Sequence, residues 1–403
     1  MKNTNAQLDS IDHTGFSLDA PIERKGSGSE KWDMMPENFD ICTDNGLPMS
    51  VADTDFPAPK TVQKTLNRLT QHGVYGYHGH ETRYLDAIVG WMDLRHDWAV
   101  DPANIFSTHG LVNGFGLCID VFTDPGDSVI LFTPVYHAFE RVISASERTI
   151  LSSPLIIEDG IYKMDLSDLE ARLTGKEKLI AFCSPHNPGG RVWSRKELEA
   201  LAAFARKHNL LLISDEIHHD LVFEGHYHTP MALIDGISDQ LIMMTAATKA
   251  FNIAGCHCGN VIISNPGLRK CFANRLVALG ISADTFGIEM VTAAYSQESV
   301  AWLEGQIEYI DANRKIFDEG MNCIAGVKSM PLQSTYLSWV DFAGTGLDVD
   351  DVTHRISSIA KIAANPGRKF GRGGEMYHRF NIGLHKSHIL DAVARLHHAF
   401  DLS

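Results

Sequence analysis

The sequence has no long hydrophobic run and comparatively few positive charges. None of its apolar stretches reaches the roughly 18 residues that suggest a membrane-spanning helix, so no membrane partner is expected. Residues 1–10 are polar and lack the apolar core of a secretory signal. The chain carries 35 Lys and Arg against 50 Asp and Glu, a net charge of −15. Because nonspecific nucleic-acid binding depends on clustered cations, no nucleic-acid partner is expected either.

Cysteine is scarce and shows no disulfide framework. The seven cysteines are an odd number scattered through 403 residues, and most have apolar neighbours in sequence. This usage is typical of buried thiols in a reducing compartment, so we expect a cytoplasmic protein.

Two groups of potential metal ligands lack the spacing of a metal site. The Cys256-His257-Cys258 triplet has no second ligand pair at zinc spacing, and alternation over 256–263 predicts a strand there. Among 20 histidines, those at 218, 219, 226 and 228 are close together. A metal site there is conceivable, but we interpret these side chains as pocket lining or core and predict no metal.

The middle of the chain alternates short apolar runs with helical patterns. A capping-box pair, Ser194 and Glu197, opens an amphipathic stretch that ends near Asn209. Several of the strand-like runs are apolar throughout, as expected for strands covered on both faces. The pattern predicts an α/β fold with a mainly parallel, doubly wound sheet. The strand-like runs are 128–132, 178–183, 210–214, 241–245 and 260–264.

After about residue 285 the pattern changes. Residues 302–317 are predicted to be helical, and 334–341 alternate as an antiparallel strand does. We therefore predict a large domain over 51–285 and a smaller α+β domain over 286–403, which an N-terminal arm, 1–50, joins.

Three polar residues follow three of the predicted strands. Asn187 follows 178–183, Asp215 follows 210–214 and Lys249 follows 241–245. Ligands of open α/β sheets bind at the carboxyl ends of strands, so these side chains should converge. Taken singly, Asp215 could be a helix cap and Lys249 a surface residue. Lys249 lies between apolar segments, however, and a desolvated lysine has a lowered pKa and can form a Schiff base.

At these residues the sequence resembles the fold-type I pyridoxal-phosphate enzymes of the class I/II aminotransferase superfamily. Within it, the chain is similar to the cystathionine β-lyase-like carbon–sulfur lyases. The resemblance implies a seven-stranded sheet in the large domain, pyridoxal 5′-phosphate as cofactor, a small amino-acid substrate and a homodimer with shared active sites. The matching segments are 29–33, 51–56, 72–77, 133–136, 185–188, 190–193, 215–218, 226–230, 249–255 and 379–381.

The resemblance also implies roles for individual residues. Lys249 would bind the cofactor and move the substrate's Cα proton, and Asp215 would pair with the pyridine nitrogen. Asn187 would donate to the ring's phenolic oxygen, and Tyr136 would stack on the ring. Arg379 would bind the substrate's α-carboxylate through its two-pronged guanidinium. The further candidates are Gly110, Leu111 and Val112 (main chain) and Thr248 (hydroxyl) for the phosphate, Tyr77 for the phosphate of the neighbouring subunit, and His218 for the ring or substrate.

Two departures from the aminotransferase pattern favour a lyase. His257 replaces an arginine eight positions after the lysine, and His218 replaces a tyrosine, as in the lyase branch. We expect β-elimination from an L-cysteine S-conjugate, giving a thiol, pyruvate and ammonia. A cysteine-sulfoxide lyase that releases a sulfenate, an aminotransferase, and a regulatory protein that keeps the cofactor fold remain the alternatives.

Overall fold

The computed structural model describes residues 18, 20–79, 81–282 and 284–401. The polar start of the chain, on which the secretion argument depends, lies outside these residues, as does much of the arm before residue 20. Within the described ranges, no helix has the length and apolar character needed to cross a membrane.

Strands and helices alternate through most of the chain. The strands are β1 (Leu47–Pro48), β2 (Ile105–Thr108), β3 (Ser128–Thr133), β4 (Thr149–Pro154), β5 (Ile156–Glu158), β6 (Ile161–Lys163), β7 (Glu177–Cys183), β8 (Leu211–Asp215), β9 (Leu241–Thr245), β10 (Gly259–Ile262), β11 (Lys328–Ser329), β12 (Leu337–Asp341), β13 (Ile362–Ala363), β14 (Asn365–Pro366) and β15 (Tyr377–Asn381). The helices are α1 (Glu30–Asp33), α2 (Met35–Phe39), α3 (Lys60–His72), α4 (Thr82–His96), α5 (Leu111–Phe122), α6 (His137–Ala145), α7 (Leu166–Ala171), α8 (Arg195–Lys207), α9 (Pro266–Leu279), α10 (Thr285–Ala294), α11 (Val300–Asn322), α12 (Val349–His354) and α13 (Lys386–Phe400).

The main sheet has seven strands in the order β2-β10-β9-β8-β7-β3-β4. Only β10 is antiparallel to its neighbours, and the other pairings are parallel. Alternate residues of β3 pack into different hydrophobic cores: Val129 and Leu131 on one side, Ile130 and Phe132 on the other. Two-sided burial explains why these strands are apolar throughout. The predicted α/β fold with a mainly parallel seven-stranded sheet is therefore confirmed.

Local sequence patterns predicted which segments form helices more accurately than they predicted where these helices end. The predicted capping box at the start of α8 is present, with Ser194 and Glu197 each bonding the other's main chain. The helix predicted over 302–317 is longer in the structure, because α11 continues to Asn322 and buries Phe317 and Met321.

Two predicted strands begin later than the alternation suggested. Thr335 has a left-handed φ of 71°, so β12 starts at Leu337 rather than at residue 334. The prediction of a strand at Cys256–Cys258 is wrong, because His257 is left-handed at φ 45° and β10 starts at Gly259. Left-handed residues cannot continue a strand.

A second sheet, in the order β11-β12-β15-β14, is antiparallel. Strand β1 lies before the strands of the main sheet in sequence, and it pairs in parallel with β13, near the other end of the chain. This pairing brings residues 47–50 beside the second sheet, where Arg379 of β15 donates to the carbonyl of Ser50 at 2.9 Å.

Candidate active site

Three neighbouring strands of the main sheet deliver side chains to one edge. Asp215 is the last residue of β8, and its register partner on β7 is Cys183, four residues before Asn187. On the other side of β8, Asp215 is aligned with Met244 of β9, which ends shortly before Lys249. The parallel pairing places all three chain exits at the carboxyl edge of the sheet.

Lys249 is partly buried, and its Nζ donates to the carbonyl of Ala52 at 2.7 Å. Burial lowers the pKa of Lys249 to about 8, against the attraction of Asp53 and Asp215 and with repulsion from Arg379. A lowered pKa increases the fraction of neutral amine at physiological pH, and the neutral amine is the form that attacks a carbonyl.

Asp215 is buried, and the main-chain N–H of Ile217 donates to its Oδ1 at 3.1 Å. Burial raises the pKa of Asp215 to about 7, although the Ile217 N–H opposes the shift. Among the described residues Asp215 has no ion-pair partner, so its carboxylate is suited to a cationic group that enters the pocket.

Arg379 is a buried cation beside the same pocket. Its Nη1 donates to Asn187 Oδ1 at 3.0 Å, and its guanidinium carbon lies 4.9 Å from the centre of the Phe370 ring. Burial lowers the pKa of Arg379 to about 10, while Tyr136 and Tyr336 act in the opposite sense. Its Nε has no hydrogen-bond partner in the described part of the chain. A buried guanidinium with a free N–H suits a carboxylate ligand.

The start of α5 offers an anion site. Gly110 is its N-cap at φ 82°, and no side chain caps the helix, so the main-chain N–H groups of Leu111 and Val112 are available to a ligand. Gly259 of β10 makes this arrangement possible, since a Cβ there would lie 2.9 Å from the Leu111 nitrogen. Thr248, the other phosphate candidate, is buried beside Lys249.

Tyr136 and His218 line the pocket from different elements. Burial raises the pKa of Tyr136, with Arg379 lowering it and Asp215 raising it, so this ring is close to both charges. His218 is buried, and its Nδ1 has no hydrogen-bond partner among the described residues. Burial, Lys249 and Arg379 hold the pKa of His218 well below its usual range, so the imidazole is neutral.

Tyr77 is the candidate that the fold does not bring to the others. Its side chain is fully exposed, and no contact found among the described residues joins it to the pocket. Such a position leaves Tyr77 accessible to another molecule.

Sequence reasoning missed a charge network beside Lys249. Arg24 Nη1 lies 2.9 Å from Asp53 Oδ1, and Lys31 Nζ lies 3.0 Å from Asp55 Oδ1. These ion pairs fix the segment whose Ala52 carbonyl accepts from Lys249. The sequence does contain two basic residues, at 24 and 31, and two acidic residues, at 53 and 55. No local sequence pattern indicates that these two pairs are in contact.

Of the four suspected histidines, His219 belongs to a buried cluster with His96 and Asp220, while His228 Nε2 lies 2.8 Å from Glu216 Oε2. His96 Nε2 lies 3.0 Å and His219 Nε2 3.1 Å from the Asp220 carboxylate, which also accepts from Trp91 Nε1 at 3.1 Å. Ligand atoms of His96, His219 and Asp220 lie within 4.8 Å of one another, so a metal would fit by distance alone. Because the Asp220 carboxylate already has hydrogen bonds with Trp91 and His96 and an ion-pair contact with His219, we interpret the cluster as a core network.

The donor set fits pyridoxal phosphate. Free N–H groups at the start of α5 suit the phosphate, the unpaired Asp215 suits a pyridinium nitrogen, and Lys249 provides the amine for an aldehyde.

Comparison with known proteins gives the same class. Residues 45–396 match the model of the aminotransferase class I and II family, and the chain belongs to that family. It is 37% identical over 385 residues to the cystathionine beta-lyase PatB of Bacillus subtilis, covering 94% of this chain and 99% of that protein.

Two solved structures place the chain more narrowly within the family. Cystalysin from Treponema denticola, which contains pyridoxal 5′-phosphate, superposes with a TM-score of 0.92 at 34% identity, covering 96% of this chain and 100% of that one. A pyridoxal-phosphate-bound C-S lyase from Staphylococcus hominis gives 0.88 at 26% identity, covering 96% and 98%. The predicted cofactor, pyridoxal 5′-phosphate, and the predicted enzyme class, a carbon–sulfur lyase, are confirmed.

Proposed function

We propose that this protein is a pyridoxal-phosphate β-lyase that cleaves the C–S bond of an L-cysteine S-conjugate such as cystathionine. The products are a thiol, pyruvate and ammonia. The observation that carries the proposal is the meeting of Lys249, Asp215 and Arg379 in one pocket, where each charged group is buried or has a shifted pKa. The name of the Bacillus subtilis relative supports a cystathionine-like substrate.

The cofactor, when bound, supplies an electron sink for the charge left at Cα when its proton is removed. Asp215 would hold the proton on the ring nitrogen and so keep the sink effective. Asn187 uses its Oδ1 to accept from Arg379, so its Nδ2 is left to donate to the phenolic oxygen. The main-chain N–H groups of Leu111 and Val112 and the Thr248 hydroxyl would hold the phosphate. The third main-chain candidate, the Gly110 N–H, donates instead to the Thr108 carbonyl at 2.8 Å.

Lys249 is the group that removes the Cα proton. Its pKa of about 8 makes it a base near neutral pH, where a lysine of ordinary pKa would be protonated. Arg379 binds the α-carboxylate and so orients the Cα–H bond toward the base. Tyr136 would pack on the ring, and neutral His218 lines the pocket without adding charge. Loss of the sulfur substituent from Cβ as a thiolate, which takes up a proton, then completes the elimination, and water hydrolyses the released aminoacrylate to pyruvate and ammonia.

The direct test is pyruvate release by the holoenzyme without any keto-acid acceptor. We expect pyruvate from cystathionine and other cysteine S-conjugates, and a loss of turnover and of the cofactor's visible absorbance band in Lys249→Ala. The exposed Lys178→Ala on β7 is the matched control and should remain active. Pyridoxamine phosphate without pyruvate would instead identify an aminotransferase, and pyruvate from sulfoxides alone would identify a sulfoxide lyase.

We propose further that the protein is a cytoplasmic homodimer with shared active sites. The exposed apolar residues Val74, Tyr75 and Tyr77, together with Phe286, support an interface with a second copy. Tyr77 would reach the phosphate in the partner subunit. The seven cysteines are all free, which supports a reducing compartment.

We also propose the division into a large domain, 51–285, and a smaller one, 286–403, which the arm at 1–50 joins. The pairing of β1 with β13 supports the attachment of the arm.

A further inference from the structure

Phe370 connects Arg379 to a second basic region. Its ring lies 4.9 Å from the Arg379 guanidinium carbon and 5.7 Å, edge to face, from the His137 imidazole. The main-chain N–H of Val135 donates to the Phe370 carbonyl at 2.8 Å, which fixes these two segments together. His137 is thus a near neighbour of the arginine that we assign to the α-carboxylate.

His137 opens α6, and Arg141 follows one helical turn later on the same face. No side chain caps this helix. Arg141 is exposed and forms no ion pair with any described residue. Its charge is therefore available to a ligand beside His137.

The surroundings of His137 are cationic. Its Nδ1 is buried and has no hydrogen-bond partner within the described ranges. Burial, together with the charges of Arg379, Arg141 and Lys369, lowers the pKa of His137 to about 4, and no carboxylate is among the shifting charges. Glu140 lies in the same turn of α6 but is exposed, and it is not among the charges that shift this pKa. In a chain with a net charge of −15, a half-buried imidazole on which three cations act is suited to an anion.

The following inference rests on the proposed function. We infer that His137 and Arg141, together with the exposed Lys369, bind a second acidic group of the substrate. That group is a carboxylate carried by the sulfur substituent. Arg379 takes the α-carboxylate, Arg141 supplies the second charge and neutral His137 donates a hydrogen bond. A pocket for purely alkyl conjugates would have no use for these cations, because desolvating them would cost binding energy.

The test compares two conjugates of nearly equal shape, S-(2-carboxyethyl)-L-cysteine and its carboxamide, S-(2-carbamoylethyl)-L-cysteine. We expect the holoenzyme to prefer the carboxylate, measured as the ratio of the two kcat/KM values from pyruvate release. Arg141→Ala should lower this ratio roughly tenfold, since a charge-assisted hydrogen bond is typically of that size. Arg141→Lys should keep most of it. Arg368→Ala is the matched control because Arg368 pairs with Asp350, 3.1 Å away, and its variant should keep the ratio.

A binding measurement separates this inference from the elimination chemistry. L-2-Aminopimelate has a methylene in place of the sulfur and cannot eliminate, so its dissociation constant is measured from the change in visible absorbance of the holoenzyme. We expect it to bind more tightly than its side-chain carboxamide, and Arg141→Ala should remove the difference. Equal binding of acid and amide overturns the inference even if pyruvate is released. Absence of pyruvate from every conjugate overturns the proposed function, while the two dissociation constants still decide the subsite.

Discussion

At the scale of single residues, the pocket holds two opposite charges that are buried and separate. Asp215 and Arg379 form no ion pair with each other or with other described residues. A buried charge without a counter-ion is unfavourable, so each position costs stability until a ligand group neutralises it. A pyridinium at Asp215 and a carboxylate at Arg379 would do so. The pocket is therefore preorganised to bind a cationic group of the cofactor at Asp215 and an anionic group of the substrate at Arg379.

Replacing Asp215 tests the assignment at the ring nitrogen. Asp215→Asn keeps the shape but loses the negative charge that retains the nitrogen's proton. We expect kcat to fall by roughly two to three orders of magnitude, the usual effect of removing one electrostatic stabiliser. Cofactor content, read from absorbance, should stay near one per chain. A variant that loses no rate while fully loaded would contradict the assignment.

The lowered pKa of Lys249 predicts the pH dependence of cofactor attachment. Only the neutral amine attacks the aldehyde, so the initial rate at which cofactor-free protein gains visible absorbance should rise with pH, with a midpoint near 8. Asp53 raises this pKa, so Asp53→Asn should shift the midpoint to lower pH. A midpoint above 10 in the unmodified protein would show that burial does not act on Lys249.

The positions of candidate site residues were predictable where these residues come directly after a strand. Asn187, Asp215 and Lys249 each follow an apolar run, and parallel strands bring such positions together. The network of Arg24 with Asp53 was not predictable, because the partners are 29 residues apart in segments without a periodic pattern.

At the scale of elements, the contact between β10 and the start of α5 controls the anion site. Gly259 lies against Leu111, and a methyl group there would come within 2.7 Å of Leu111 Cδ2 as well as crowding the Leu111 nitrogen. The helix start would have to move, and with it the N–H groups that we assign to the phosphate.

Gly259→Ala should therefore weaken cofactor binding. We expect the dissociation constant of pyridoxal phosphate to rise roughly tenfold, as loss of one charge-assisted hydrogen bond would cause. Fluorescence titration of the cofactor-free protein measures it. Gly255→Ala is the matched control, since nothing lies within 4 Å of a Cβ there and its φ is ordinary. Similar constants for both variants would rule out the crowding argument.

Element cores were easier to predict than element ends. The apolar runs of the main sheet gave the positions of β3, β7, β8 and β9 because both faces of these strands are buried. The ends at Thr335 and His257 depend on left-handed backbone, which tertiary contacts impose on residues that do not favour it.

At the scale of the whole molecule, the exposed surface around Tyr77 supports the proposed dimer. The rings of Tyr75 and Phe286 lie 5.5 Å apart, and this pair joins the loop before α4 to the start of α10 in one apolar patch. A patch formed by two elements and ending at Tyr77 is suited to a second copy of the chain.

Hybrid dimers test whether the sites are shared. A dimer of one Lys249→Ala subunit and one Tyr77→Ala subunit should contain one intact site, because in the proposed arrangement the intact Tyr77 would reach the phosphate in the subunit that keeps Lys249. We expect about half of the activity of the unmodified dimer. Sites confined to single subunits would instead give only the residual activity of the Tyr77→Ala subunit. Light scattering after chromatography checks that the hybrid is dimeric.

The contacts that hold residues 50–53 have a consequence for folding. Ala52 accepts from Lys249 and from Tyr336, and Asn381 donates to the carbonyl of Asp53 at 2.6 Å, across sequence separations of 197, 284 and 328 residues. Closing such long loops costs chain entropy before the contacts can form. These contacts are therefore expected to form late in folding. During synthesis the pocket stays incomplete until residue 381 has left the ribosome. Partly synthesised chains are therefore expected to be catalytically inactive.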